Sequence, residues 1–124
     1  MRLLLDTHVV LWQLSGEREL PAPVRDAIAT ADDLLFSVVS FAEVGLKVSA
    51  GKLEVPDDLQ ARIADSGVRT LGLSPAHGLA VADLPVHHRD PFDRLIIAQA
   101  MIERLTVVTA DTRFQAYGIE LLTA

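Results

Sequence analysis

Apolar positions along the chain alternate between short dense runs and longer stretches at helical spacing. Leu3-Leu4-Leu5 reads as a buried strand ended by Asp6, and Val9, Val10, Trp12 and Leu14 then recur as the inner side of a helix. After a loop over 16–23, Val24, Ala27 and Ile28 predict a second helix, and the run 34–39 predicts a second strand. Ser40 is expected to open a helix bearing Phe41, Val44 and Val48, with Gly51 placed to end it. Pro56 should start another helix, 70–73 a short strand, and Ser74-Pro75 a helix running to about Ala82, followed by His87-His88-Arg89 as a polar connection. Asp90-Pro91-Phe92-Asp93 begins a helix with Leu95, Ile96, Ile97, Ala98, Met101 and Ile102, apolar on most sides and therefore central. Thr106–Thr109 reads as a strand, Asp111 precedes a short helical turn with Phe114, and 119–122 reads as the last strand.

Strands that alternate with helices, and that are apolar almost throughout, predict an α/β fold. The expected form is a three-layer α/β/α sandwich with a mainly parallel central sheet. No repeat, low-complexity tract or linker interrupts residues 1–124, a length that suits a single domain. In open sheets of this kind ligands gather beyond the carboxyl ends of the strands, so the residues just after each strand carry the functional question.

Composition narrows the chemistry. A charged fraction of 23% beside 50% hydrophobic residues is that of a folded globular chain. The mean hydropathy of +0.31 is high for so small a chain and implies apolar surface covered by a partner, with oligomerisation the first expectation. No apolar run approaches the roughly 18 residues of a membrane span, and Asp6 follows Met1-Arg2 too soon for a signal peptide, so a cytoplasmic protein without membrane contact is expected. With no cysteine, disulfides and thiolate zinc sites are excluded, and any metal must bind through oxygen or imidazole. The net charge of -6 opposes broad attraction to nucleic acid, unless several carboxylates converge and bound cations reverse the local sign.

Four acids hold positions where such convergence would occur. Asp6 ends the first strand, Glu43 is expected in the first turn after the second, Asp93 in the first turn of the central helix, and Asp111 just after the Thr106–Thr109 strand. Each also has an ordinary reading as a helix-start residue. Ser40-x-x-Glu43 fits a capping box, Asp90 is a natural N-cap before Pro91, Asp93 then sits where the helix dipole favours negative charge, and Asp6 and Asp111 could both be caps. Capping does not explain why their apolar flanks supply no basic partner. Four acids on one sheet edge would repel and raise one another's pKa unless a cation intervened. Mg²⁺ or Mn²⁺ suits such a donor set, and hydrolysis of a phosphodiester is the natural reaction. His8, His77, His87 and His88 show no pair at helical i, i+4 spacing alongside an acid and receive no metal role. Trp12 and Phe41 fall on apolar helical faces and are expected in core or interface. Another Mg²⁺-dependent phosphate-handling α/β domain, such as a receiver, remains an alternative, though a receiver would carry adjacent acids near the first strand and a Lys after the last.

The segments Leu3-Leu4-Leu5-Asp6-Thr7-His8, Ser40-x-x-Glu43, Asp90-Pro91-Phe92-Asp93-Arg94-Leu95-Ile96-Ile97-Ala98-Gln99-Ala100 and Thr109-Ala110-Asp111-x-x-Phe114 together resemble the PIN-domain ribonucleases. More narrowly they resemble the VapC-type toxins of bacterial type II toxin–antitoxin modules. The resemblance runs from the first strand to the last. It implies a PIN-like α/β/α fold and Mg²⁺- or Mn²⁺-dependent cleavage of RNA. It puts the family's acidic positions on Asp6, Glu43, Asp93 and Asp111, with Asp93 preferred to Asp90, which is left as N-cap and possible support. Thr7, Ser40 and Thr109 are candidates to orient the carboxylates, Arg94 to contact RNA or balance the acids, and Lys47 and Lys52 to contact phosphate. Each of these six also has an ordinary role as cap, turn, strand or solvated surface. A cognate VapB-like antitoxin, small and DNA-binding, and a homodimer within a larger toxin–antitoxin assembly are implied as partners. A PIN-like domain that only binds partners, without catalysis, is the remaining reading.

Overall fold

The computed structural model describes residues 1–124 and builds one parallel sheet from five short strands. They are β1 (Arg2–Leu5), β2 (Asp33–Ser37), β3 (Arg69–Leu71), β4 (Thr106–Thr109) and β5 (Leu121–Thr123). Six helices connect them: α1 (Thr7–Ser15), α2 (Ala22–Thr30), α3 (Val38–Ser49), α4 (Leu59–Asp65), α5 (Pro75–Ala80) and α6 (Pro91–Glu103). Single 3₁₀ segments follow at Val81–Asp83 and Thr112–Tyr117. The spatial order β3-β2-β1-β4-β5 puts β1 in the middle. The chain lays β2 and β3 to one side of β1, then crosses back to lay β4 and β5 on the other. The crevice between divergent connections therefore opens at the carboxyl ends of β1 and β4.

The strands are apolar on both faces because both are covered. In β1, Leu3 and Leu5 enter one core, with Phe36 of β2, Val108 of β4, and side chains of α1, α2 and α4. Leu4 points the other way, into a second core with Leu35, Val107, Ile96, Ile97 and Phe114. This period-two division of adjacent leucines is what a sheet between two helical layers requires. The α/β/α sandwich with a parallel sheet is thus as the pattern predicts. Helix α3 spans the two cores, Val39 belonging to one and Val44 to the other. No helix is long and apolar enough to cross a membrane.

Several expected boundaries move, for local reasons. The second strand ends at Ser37, whose side chain accepts the backbone N–H of Val39 and caps α3. Val38 and Val39 are therefore helical rather than the end of a strand, Ser40 lies inside α3 rather than opening it, and Glu43 lies in its second turn. No Ser40–Glu43 capping box exists. The helix expected from Pro56 begins at Leu59, and the one expected over 75–82 tightens to 3₁₀ geometry after Ala80. The last strand occupies Leu121–Thr123. Helix α6 is buried along Ile96–Ala100, yet Met101 and Ile102 are 49% and 43% exposed, so it is central on one side only. The supposed polar connection holds His88, which is buried.

Candidate active site

Asp6 is delivered by the C-terminal end of the middle strand. Its Oδ1 accepts the Thr7 N–H at 2.8 Å, making it the N-cap of α1, and its Oδ2 accepts from Thr109 Oγ1, at the end of β4, at 2.7 Å. Capping thus accounts for one oxygen, while the other is tied to the neighbouring strand. Thr109 Oγ1 also accepts the Asp111 N–H at 3.0 Å, linking the two acids through one hydroxyl.

Glu43 reaches the same place from α3. Thr7 Oγ1 lies 2.7 Å from Glu43 Oε1 and 2.8 Å from Ser40 Oγ. Thr7 has one hydroxyl proton and an ionised carboxylate has none, so Thr7 donates to Glu43 and Ser40 donates to Thr7. The other oxygen, Glu43 Oε2, pairs with Lys47 Nζ at 2.8 Å, one helical turn on. Capping therefore has no part in placing Glu43.

Helix α6 supplies Asp93. Asp90 is its N-cap, with Oδ1 accepting the N–H groups of Phe92 at 2.8 Å and Asp93 at 3.2 Å, which leaves the Asp93 carboxyl free to face inward. Asp111 caps the following 3₁₀ segment through the Arg113 N–H and is clasped by the Arg113 guanidinium at 3.0 and 2.8 Å. Between Asp93 and Asp111 stands His88, its Nε2 at 2.7 Å from Asp93 Oδ2 and 3.1 Å from Asp111 Oδ2. His88, Asp93 and Asp111 offer ligand-type atoms all within 4.8 Å of one another. Asp6 and Glu43 stand outside that grouping but line the same cavity of about 380 Å³, together with Asp90, Lys47 and Arg113. A larger cavity of about 520 Å³ lies between α1 and α2 around Trp12 and Ile28. Its one acid, Glu19, is already paired with Arg25, so it brings no comparable chemistry.

The charges in the cavity are unevenly compensated, which corrects the expectation that no basic partner is near. Lys47 serves Glu43, and the Arg113 guanidinium, assisted by the His88 hydrogen bond, holds the Asp111 carboxyl down at about 2. Asp6 and Asp93 have no Lys or Arg partner. Burial pushes the Asp93 carboxyl up to about 8, and the charges of Asp6, Asp90, Glu43 and Asp111 push the same way. Burial also raises the Asp6 carboxyl, opposed by the hydrogen bonds from Thr109 and Thr7. Acids of this kind, desolvated and crowded, offer hard oxygen donors to a divalent cation.

Arg94 turns away from the acids. Its guanidinium donates to the carbonyls of Val81, Leu84, Pro85 and His88 and to Tyr117 Oη, over 3.0–3.4 Å, and so holds the 81–88 loop. A role in contacting RNA or balancing the cluster does not match this placement. Trp12 and His8 lie on the cavity wall, whereas Lys52 is exposed away from it. His88 is the residue that sequence reasoning set aside. A rule built on i, i+4 histidine ligands could not find it, whereas its position two residues before an N-cap aspartate was a readable signal.

The PIN domain family model matches residues 3–120. The chain is 28% identical over 118 residues to ribonuclease VapC22 of Mycobacterium tuberculosis, covering 93% of this chain and 91% of that protein. In backbone it is similar to a chain in the crystal structure of VapBC2 from Rickettsia felis bound to a promoter DNA fragment, with TM-score 0.75, 17% identity, and 99% and 98% of the two chains covered. DNA-bound VapBC from Salmonella typhimurium gives TM-score 0.73 at 18% identity, with the same coverage. With the family model spanning all but the ends of the sequence, this chain belongs to the PIN domain family.

Proposed function

We propose that this chain is a Mg²⁺- or Mn²⁺-dependent endoribonuclease that hydrolyses RNA phosphodiester bonds and acts as the toxin of a toxin–antitoxin pair. The observation that carries the reading is the pair Asp6 and Asp93, two buried carboxyls without Lys or Arg partners, lining one cavity with Glu43 and Asp111. A divalent cation would supply the positive charge that Lys47 and Arg113 give to Glu43 and Asp111 but not to Asp6 and Asp93. The donors are all hard oxygens, which favours Mg²⁺ or Mn²⁺, and Asp6, Glu43, Asp93 and Asp111 are the residues that would hold it. When bound, such an ion supplies a coordinated water of lowered pKa and positive charge for phosphate oxygens.

The chain's own residues preorganise this arrangement. The Thr7 N–H and Thr109 hydroxyl fix both Asp6 oxygens, and the Ser40–Thr7 hydroxyl chain with Lys47 fixes both Glu43 oxygens. Lys47 and Arg113 at the rim bring positive charge to a cavity that must admit a polyanion. The likeness to ribonuclease VapC22 supports RNA as substrate, and the likeness to VapBC structures supports a VapB-like antitoxin as partner. An antitoxin Arg or Lys inserted among the carboxylates would displace the cation. Its apolar segment, or a second toxin copy in a homodimer, would cover exposed side chains such as Leu46, Leu79 and Val86. A cytoplasmic site of action belongs to the same reading.

The test is cleavage of single-stranded RNA with Mg²⁺ or Mn²⁺, with and without EDTA, by the wild type and by Asp6→Asn and Asp93→Asn. Cleavage that needs the metal and falls at least about 100-fold in both variants is expected, since each change removes a ligand. Cleavage indifferent to EDTA or to both substitutions overturns it. No cleavage, with a complex formed by a small basic protein encoded next to this chain, replaces it with a binding module.

A further inference from the structure

His88 is 1% exposed, touches two of the proposed ligands, and has no part in the reading above. Its surroundings are built to hold it. The backbone N–H groups of His87 and His88 both donate to Tyr117 Oη, at 3.2 and 2.9 Å. The ring packs edge-on to Phe114, with centroids 5.9 Å apart. Arg94 grips the carbonyls of the loop that leads to it, including that of His88 itself.

The hydrogen bonds also fix which ring nitrogen carries the proton. Nδ1 accepts the Asp90 N–H at 3.2 Å, so its lone pair is used and Nε2 carries the hydrogen. An Nε2 that donates has no lone pair to give a metal. His88 therefore lies within ligand distance of Asp93 and Asp111 without being able to join them as a ligand in this arrangement. What it can do is bond Asp111 and pack against Asp93. Asp93 sits on α6 and Asp111 follows β4, so no local backbone geometry sets their spacing, and the imidazole edge stands between them.

Resting on the nuclease reading, we infer that His88 is a positioning residue: its Nε2–H donates to Asp111 Oδ2, and its buried ring edge, 2.7 Å from Asp93 Oδ2, sets the spacing of the two acids that receive the divalent cation. Asp90 then has a second task beyond capping α6: its backbone N–H locks the ring in the donating form. Partners of metal ligands commonly act in this way, through orientation rather than coordination.

Two substitutions separate the ring's two ends. His88→Gln places an amide N–H near Nε2 and keeps the donor, whereas His88→Asn keeps only an acceptor near Nδ1. Mn²⁺ binding to the full chain is measured by isothermal titration calorimetry. Loss of a ligand's partner predicts about 10- to 100-fold weaker binding for His88→Asn and a value within about 3-fold of wild type for His88→Gln. With single-stranded RNA the Asn variant should lose kcat with little change in KM. Nitrogen-15 NMR of labelled histidine should show Nε2 still protonated after Mg²⁺ is added. Equal affinities for the two variants, or loss of the Nε2 proton on Mg²⁺ binding, overturns the inference alone. A wild type that neither binds Mn²⁺ nor cuts RNA overturns the nuclease reading, and the inference with it.

Discussion

Asp93 pays for its position in proton affinity. Its folded-state pKa of about 8 lies above the ordinary 3.8, so between those values the native chain holds more proton than the unfolded one. Stability from this group is complete below about pH 4 and is lost as pH rises through 8. Asp6 acts with the same sign, and Asp111, held at about 2, acts oppositely but only at the acid end. In EDTA the Tm should therefore fall between pH 5 and 8. Asp93→Asn should flatten that fall and raise Tm at pH 8, and a variant with the wild-type slope would show that Asp93 is not the source. As candidates, Asp6, Glu43 and Asp111 were legible at this scale from their places after strands, and Asp93 from the start of α6. The roles of their neighbours were not, because Thr7, Ser40 and Thr109 act across 33 to 103 residues of sequence.

Among the elements, the C-terminal ends of β2, β3 and the middle of α6 are joined by one polar chain. Ser37 caps α3 and donates to Gln99 Oε1 at 2.6 Å, and Gln99 Nε2 donates to the Gly72 carbonyl at 3.1 Å. Gln99 is wholly buried, so Ser37→Ala removes a cap and strands a buried acceptor. Chemical denaturation should register a loss of about 2–3 kcal/mol. Arg94→Lys replaces a planar fork of donors with a point charge and cannot reach all the carbonyls of the 81–88 loop. A loss of about 1–3 kcal/mol is expected, with faster proteolysis inside that loop than elsewhere. The elements themselves were readable from period and punctuation. Their boundaries failed where a side chain chose between strand and helix. Val38 and Val39 favour strands by type, yet the Ser37 cap starts the helix beneath them.

For the molecule as a whole, the unbalanced cavity predicts that cation binding and folding are coupled. Mn²⁺ should raise Tm, and more at pH 8 than at pH 5.5, because the ion competes with protons for the same carboxyls. Asp93→Asn should abolish most of that difference. A Tm indifferent to Mn²⁺ at pH 8 would remove the cation from the site.

By itself the sequence determined the layers and the candidates. Alternating apolar runs and helical spacing dictate a sheet covered on both sides, and parallel strands bring the acids that follow them toward one edge. Only the tertiary structure decided which charges are answered. Lys47 meets Glu43 and Arg113 meets Asp111 within a few residues, but Asp6 and Asp93 are left without such partners by the crossing of β1, β4 and α6. His88 is drawn between Asp93 and Asp111 by a loop that Arg94 and Tyr117 hold from elsewhere in the chain. Hydrophobic periodicity is a local property and survives in the sequence. Electrostatic compensation depends on distances of a few ångströms between residues far apart in the chain, and folding sets those.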